Sequence, residues 1–236
     1  KQIRKKIDKR IRFVLNHGKY IMGPEVYELE EKLVDYVNVK YCISCASGTD
    51  ALLMPLMAYG IGPGDAVITT PFTYIATAEV ISLVGATPIF SDIYSKTFNL
   101  NPAKIEDAVK RALNKGLKPK AIIPVDLFGL PARYRVIEKI AKEHNLFVIE
   151  DAAQGFGSSI RNYKAGSFGH VSSTSFFPAK PLGCYGDGGA IFTNDEQLAD
   201  KIQSIRVHGS GFDKYENIRI GINGRLDTIQ AAILLE

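Results

Sequence analysis

No apolar run in the chain's 236 residues approaches the roughly 20 residues that a membrane-spanning helix needs, because charge, glycine or proline breaks each candidate. No secretory signal opens the sequence, so the expectation is a protein neither exported nor membrane-spanning. Cysteine is scarce: three residues, an odd number, point to a reducing cytoplasm and exclude a disulfide framework. Cys42 and Cys45 have the spacing of a zinc or redox pair. They fall in an apolar run that reads as a strand, and no second Cys/His pair follows, so a buried pair of small hydrophobes is expected and no metal. Charge of one sign is lacking too. The net charge of +4 favours acidic ligands only mildly. The one dense basic stretch, residues 1–12, spaces Ile3, Ile7 and Ile11 at helical intervals, which predicts an amphipathic helix with a solvated basic face rather than a nucleic-acid or membrane contact. Finally, no Gly-x-Gly-x-x-Gly follows the first strand, which argues against a dinucleotide-binding protein.

What is present is a globular α/β pattern. A hydrophobic fraction of 46% with 23% charged residues suits one large domain or two small ones. Strands are expected over residues 41–46, 66–70, 87–92, 120–126, 146–151, 172–177 and 189–194. Helices are expected over 24–36, 49–59, 74–84, 102–113, 131–144 and 195–207, with Pro24, Pro102 and Pro131 in first turns and Gly60 and Gly85 just past helix ends. Such alternation implies a mostly parallel sheet covered on both faces, whose site lies beyond the carboxyl ends of the strands.

Three clusters sit near such ends. The apolar run 146–149 delivers Glu150 and Asp151 on opposite sides of a buried strand, so one carboxylate points into the site. Asp151 could equally cap a following helix, and Gln154 could cap the turn. At Ser47-Gly48-Thr49 small residues lead from strand to helix, offering backbone N–H groups and hydroxyls where a phosphate would sit; an ordinary helix cap has the same look. Lys180 lies between Pro178-Ala179 and Pro181-Leu182-Gly183, a turn too constrained for helix or strand, with Ser175 five residues before it. Tyr74 offers a flat ring to stack on, or else packs in the core. An amine, a carboxylate for a ring nitrogen and a phosphate cup together match the needs of pyridoxal 5′-phosphate (PLP). The glycines of 186–189 and 60–65 read as turns, not phosphate loops.

In order, Ser-Gly-Thr-Asp-Ala-Leu (47–52), Gly-Pro-Gly-Asp (62–65), Thr-Tyr-Ile-Ala-Thr (73–77), Glu-Asp-Ala-Ala-Gln (150–154), Ser-Phe-Phe-Pro-Ala-Lys-Pro-Leu-Gly (175–183) and Asn-Gly-Arg-Leu-Asp (223–227) resemble the motifs of the DegT/StrS family of sugar aminotransferases. The resemblance runs from about Tyr20 to the last residue. It implies the large domain of PLP fold type I, with about seven strands, one antiparallel. It also implies that Lys180 is the lysine joined to the cofactor, Asp151 the partner of its ring nitrogen and Tyr74 the stacking ring. Gly48, Thr49 and Ser175 would be phosphate ligands, with Gln154 near the ring hydroxyl. Asn223 resembles a residue that reaches the phosphate of a neighbouring subunit's cofactor, and Arg225 one offered to the sugar across that interface. A homodimer with shared sites follows.

The implied reaction takes an amino group from L-glutamate and gives it to a nucleotide-linked ketosugar in surface-glycan synthesis such as O-antigen. A sugar dehydratase branch of the family carries His at the lysine position, so Lys180 argues against it. The stretch 176–190 is most similar to the group acting on UDP-linked 3-keto hexosamines and hexuronic acids; a dTDP-linked 3-keto or 4-keto-6-deoxysugar is the alternative. A regulator that binds PLP or sugar without turnover is a further alternative, opposed by Lys180 and Asp151. The family's smaller C-terminal domain has no counterpart in residues 1–236, which read as the large domain, its N-terminal helical segment 1–37 included, of a longer protein.

Overall fold

The computed structural model describes residues 2–213 and 215–236; Lys1, the first residue of the basic segment, lies outside them. Two helices come first, α1 (Gln2–His17) and α2 (Pro24–Val37), then β1 (Tyr41–Cys45), α3 (Gly48–Ala58), β2 (Asp65–Thr69), α4 (Ala76–Leu83) and β3 (Thr87–Phe90). Next come α5 (Ile105–Asn114), β4 (Lys118–Ile123), α6 (Tyr134–Glu143), β5 (Phe147–Asp151) and a small hairpin of β6 (Ser159–Ile160) and β7 (Tyr163–Lys164). The last elements are β8 (Val171–Ser175), β9 (Gly189–Thr193), α7 (Glu196–Arg206) and α8 (Thr228–Leu234).

Seven strands form one sheet in the order β1-β9-β8-β5-β4-β2-β3. Only β9 runs against its neighbours, pairing antiparallel with both β1 and β8. The expected sheet, strand count and single antiparallel strand are all present. The central strands are buried on both faces, as continuous apolar runs require. Ile122, Ala66, Ile68 and Val148 face the layer under α5 and α6, while their neighbours Ile123, Val67 and Ile149 face the layer under α3, α4 and α7. Each fully buried Ile or Val contributes about 1.5–3 kcal/mol. A third apolar cluster joins α2 and α8 to β1 and β9 through Leu29, Leu33, Phe176 and Phe192.

Helix α1 takes the amphipathic form read from its pattern: Ile7 and Val14 are buried, while Ile3 stays exposed. At the edge of the same face Arg10 donates to Glu28 at 2.8 Å and to Glu236 at 2.8 Å. All three cysteines are free and buried; no cluster of metal-ligating side chains occurs among the described residues, and no helix among them is long and apolar enough to cross a membrane.

Two expected helix starts are corrected. The segment expected to be helical from Tyr74 begins at Ala76, because residues 71–74 turn outward at the sheet end. The helix expected from Pro131 begins at Tyr134, where the Asp126 carboxylate ties down the entry by accepting from Ala132 N–H at 2.9 Å. Pro102 opens a 3₁₀ turn that leads into α5. The β6–β7 hairpin had no counterpart in the sequence pattern, its strands being two residues each.

Candidate active site

Seven of the nine predicted site residues, Gly48, Thr49, Tyr74, Asp151, Gln154, Ser175 and Lys180, line one cavity of about 500 Å³ at the carboxyl ends of the parallel strands. A larger groove, about 760 Å³, opens elsewhere between α6 and the β6–β7 hairpin, lined by Arg133, Arg161, Tyr163 and Phe168. It has neither a lysine nor the strand-to-helix junction of the first.

Asp151 ends β5 and is 4% exposed. Its Oδ2 accepts from the Thr77 hydroxyl at 2.8 Å and its Oδ1 from Ala153 N–H at 3.2 Å. No helix follows it, so it is not a helix cap. Burial pushes its pKa above the ordinary carboxylate value; the bonds from Thr77 and Ala153 and the nearby Lys180 ammonium pull the other way without cancelling the effect. A carboxylate held this way calls for a cation opposite it. Thr77, which aims the carboxylate and is itself bonded to Thr73 at 3.0 Å, was passed over in the sequence. Its only signal was its place at the end of the 73–77 motif.

The residues expected to form a phosphate cup meet across two elements. Ser47 caps α3, accepting from Asp50 N–H at 3.0 Å, and so leaves Gly48 and Thr49 to face the cavity. A Cβ on Gly48 would stand 2.6 Å from Ser175 Cβ, closer than real atoms approach, so only glycine lets the α3 start come this near the end of β8. The result is a narrow cradle of backbone N–H groups and hydroxyls at a helix N-terminus, the arrangement that favours a phosphate.

Lys180 is half-buried in the turn that its own N–H closes on Phe177 O at 2.8 Å. Gly183 keeps that turn tight, since a Cβ there would meet Pro178 O at 2.8 Å. Tyr74 is 71% exposed and borders the cavity, which excludes core packing for its ring. The side-chain oxygen of Gln154 is occupied by Phe128 N–H at 3.2 Å, so its NH2 is the group it offers to the cavity. Asp187, which sequence reading had assigned only to a turn, also lines the wall.

Asn223 and Arg225 are not brought to this cavity. They lie on the segment before α8, joined to each other by Arg225 Nη2 donating to Asn223 Oδ1 at 2.6 Å, and Asn223 is exposed.

Comparison with known proteins bears on the fold and the family. The chain is 54% identical over 99% of its length to UDP-2-acetamido-2-deoxy-3-oxo-D-glucuronate aminotransferase of Pseudomonas aeruginosa, of which it covers 63%. It superposes with a TM-score of 0.98 on a DegT DnrJ EryC1 StrS aminotransferase from Brucella abortus, at 56% identity, covering 99% of this chain and 63% of that one. With NtdA of Bacillus subtilis, solved with bound cofactor PMP, the TM-score is 0.90 at 35% identity, covering 100% of this chain and 52% of that one. The chain thus spans less than two thirds of the length of these relatives. The DegT/DnrJ/EryC1/StrS aminotransferase family matches residues 1–236 throughout, and the chain belongs to it.

Proposed function

We propose that the chain is the large, cofactor-binding domain of a PLP-dependent enzyme that moves an amino group from L-glutamate to a nucleotide-linked ketosugar, in the branch acting on UDP-linked 3-keto hexosamines or hexuronic acids. The observation that carries this reading is the shared cavity of Lys180 and the buried Asp151, walled on one side by the Gly48–Ser175 cradle. The residues fit the cofactor. Asp151 would meet a protonated ring nitrogen, the Gly48, Thr49 and Ser175 groups would take the phosphate, Tyr74 would cover a ring face, and Gln154 would donate to the ring hydroxyl. When bound, PLP supplies an electron sink for the carbon that carries the amino group. Lys180 is the residue that would hold the cofactor, and its amine, when free, would serve as the acid and base beside that carbon. Asp151 would keep the ring nitrogen protonated because a buried carboxylate without a cation is costly.

The substrate branch is supported by the 54% identity to the P. aeruginosa 3-oxo-glucuronate enzyme. Asn223, exposed, and Arg225, half-buried, both away from their own cavity, suit delivery to a second copy in a homodimer, where the Arg225 guanidinium matches a sugar carboxylate or phosphate. A role in surface-glycan synthesis in the cytoplasm completes the reading. The test is to incubate the full-length protein with L-glutamate and a panel of UDP- and dTDP-linked 3-keto and 4-keto sugars and to weigh the products. Amination of a UDP-linked 3-keto sugar is expected. Amination of dTDP-linked sugars alone would move the enzyme to the other branch, and no amination of any sugar would remove the reading.

A further inference from the structure

Behind the site, on the far side of β5 from the cavity, two acidic side chains are buried together. Asp126 and Glu150 are both 0% exposed. Neither has a cationic partner among the described residues. Asp126 Oδ1 accepts twice, from Ala132 N–H at 2.9 Å and from the Tyr134 hydroxyl at 2.7 Å. Each Glu150 oxygen accepts a backbone N–H, Oε1 from Gly166 at 2.9 Å and Oε2 from Phe168 at 2.9 Å. One atom is left over: Asp126 Oδ2 has no hydrogen-bond partner. Val125 pairs with Asp151, so Asp126 and Glu150 share one face of neighbouring strands, and the Glu150 carboxyl is the acid that acts on Asp126. Two carboxylate oxygens cannot bond without a proton, and two like charges in an apolar interior cannot both persist uncompensated.

We propose that Asp126 and Glu150 share one proton, carried on Asp126 Oδ2 and directed at Glu150, and that this pair positions the Asp151 end of β5. Every donor in the cluster then has an acceptor and every buried oxygen a partner. Burial raises both acids above the ordinary carboxylate range and the Asp126 charge raises Glu150 further, so the proton belongs to the pair at neutral pH. The other titratable groups facing the pair are Tyr134 from α6 and Asp151 itself; burial holds the Tyr134 phenol well above its ordinary value, so it stays neutral.

The pair ties four segments to the strand that carries Asp151: the end of β4, the entry to α6, and the backbone at Gly166 and at Phe168. The Asp151 main chain is clamped on the same side, its N–H donating to Pro124 O at 3.0 Å and its carbonyl accepting from Asp126 N–H at 3.0 Å. Gly155, in the turn after Asp151, is closed against Asp126, since a Cβ there would stand 2.4 Å from Asp126 Cβ. The inference rests on the role given to Asp151, but its first readout needs no cofactor.

The two amide variants replace the shared proton in different ways. In Asp126→Asn the NH2 replaces the protonated oxygen and donates to Glu150, so every bond survives. In Glu150→Gln the NH2 must face a backbone N–H. Thermal unfolding of the full-length protein is measured from pH 5 to pH 8 for the parent and both variants. At pH 5, Asp126→Asn is expected within about 2 °C of the parent and Glu150→Gln at least about 4 °C below it. The folded parent holds a proton that its unfolded chain releases, so its stability falls as pH rises above the ordinary carboxylate value. Asp126→Asn lacks that proton and should gain at least about 5 °C on the parent by pH 8. For the positioning role, absorbance titration with PLP should show affinity unchanged in Asp126→Asn and lowered at least about 10-fold in Glu150→Gln. Should Glu150→Gln fail to fold, the Asp126→Asn profile and titration decide alone. Parallel pH profiles for parent and Asp126→Asn would overturn the shared proton. Equal PLP affinity in parent and Glu150→Gln, or a loss in Asp126→Asn, would overturn the positioning role. Absence of PLP binding by the parent would instead strike the proposed function and leave the unfolding result standing.

Discussion

At the scale of single residues, the site trades stability for a poised charge. Asp151 is a buried acid whose pKa is raised by desolvation, so in the cofactor-free protein it costs stability increasingly as pH rises above the ordinary carboxylate value. Asp151→Asn keeps its neighbours satisfied: the amide oxygen accepts from Ala153 N–H, and the NH2 donates to Thr77, whose hydroxyl can turn to Thr73. The cofactor-free variant is therefore expected to be more stable by about 1 kcal/mol at pH 7, with kcat at least about 100-fold lower, read by urea unfolding and steady-state rates. An unstable or fully active variant would contradict that assignment. Lys180, Asp151 and Gly48 were legible in the sequence because rigid turns and strand periodicity restrict where such residues can point. Thr77 and Asp126 were not. A hydroxyl that aims a carboxylate and an acid that shares a proton are defined by neighbours 74 and 24 residues away, and no local pattern announces them.

At the scale of elements, the helix-to-sheet contacts carry one charged joint. Arg206, at the end of α7 and 5% exposed, donates to Glu30 of α2 at 2.7 Å and to Ser44 O of β1 at 3.0 Å, while the Ser44 N–H and hydroxyl also donate to Glu30. Removing only the cation strands a largely buried carboxylate, so Arg206→Met is expected to cost about 3 kcal/mol in urea unfolding, and Glu30→Gln made in the same chain should recover part of it. A loss under about 1 kcal/mol would place the joint among ordinary surface pairs. All seven strands of the main sheet were readable within a few residues, β2 and β5 most plainly because buried parallel strands are short runs rich in apolar residues. Helix entries were less readable. The starts of α4 and α6 are set by bonds from Asp126 and by the outward turn at 71–74, not by capping residues in the sequence.

At the scale of the whole molecule, a sheet with one reversed strand brings the ends of β5 and β8, the start of α3 and the 176–183 turn to one cavity, and leaves Asn223 and Arg225 outside it. The alternation of strands and helices announced the sheet, but the assignment of Asn223 and Arg225 to a neighbouring copy rested on family resemblance, because a contact between chains leaves no periodicity in either. The central claim is that one amine of this chain holds PLP opposite Asp151. It is tested most directly by reducing the PLP-loaded full-length protein with borohydride and mapping the product by intact and peptide mass. One pyridoxyl group per chain, on Lys180, is the result the account predicts; an unlabelled Lys180, with the label absent or on another lysine, would contradict it.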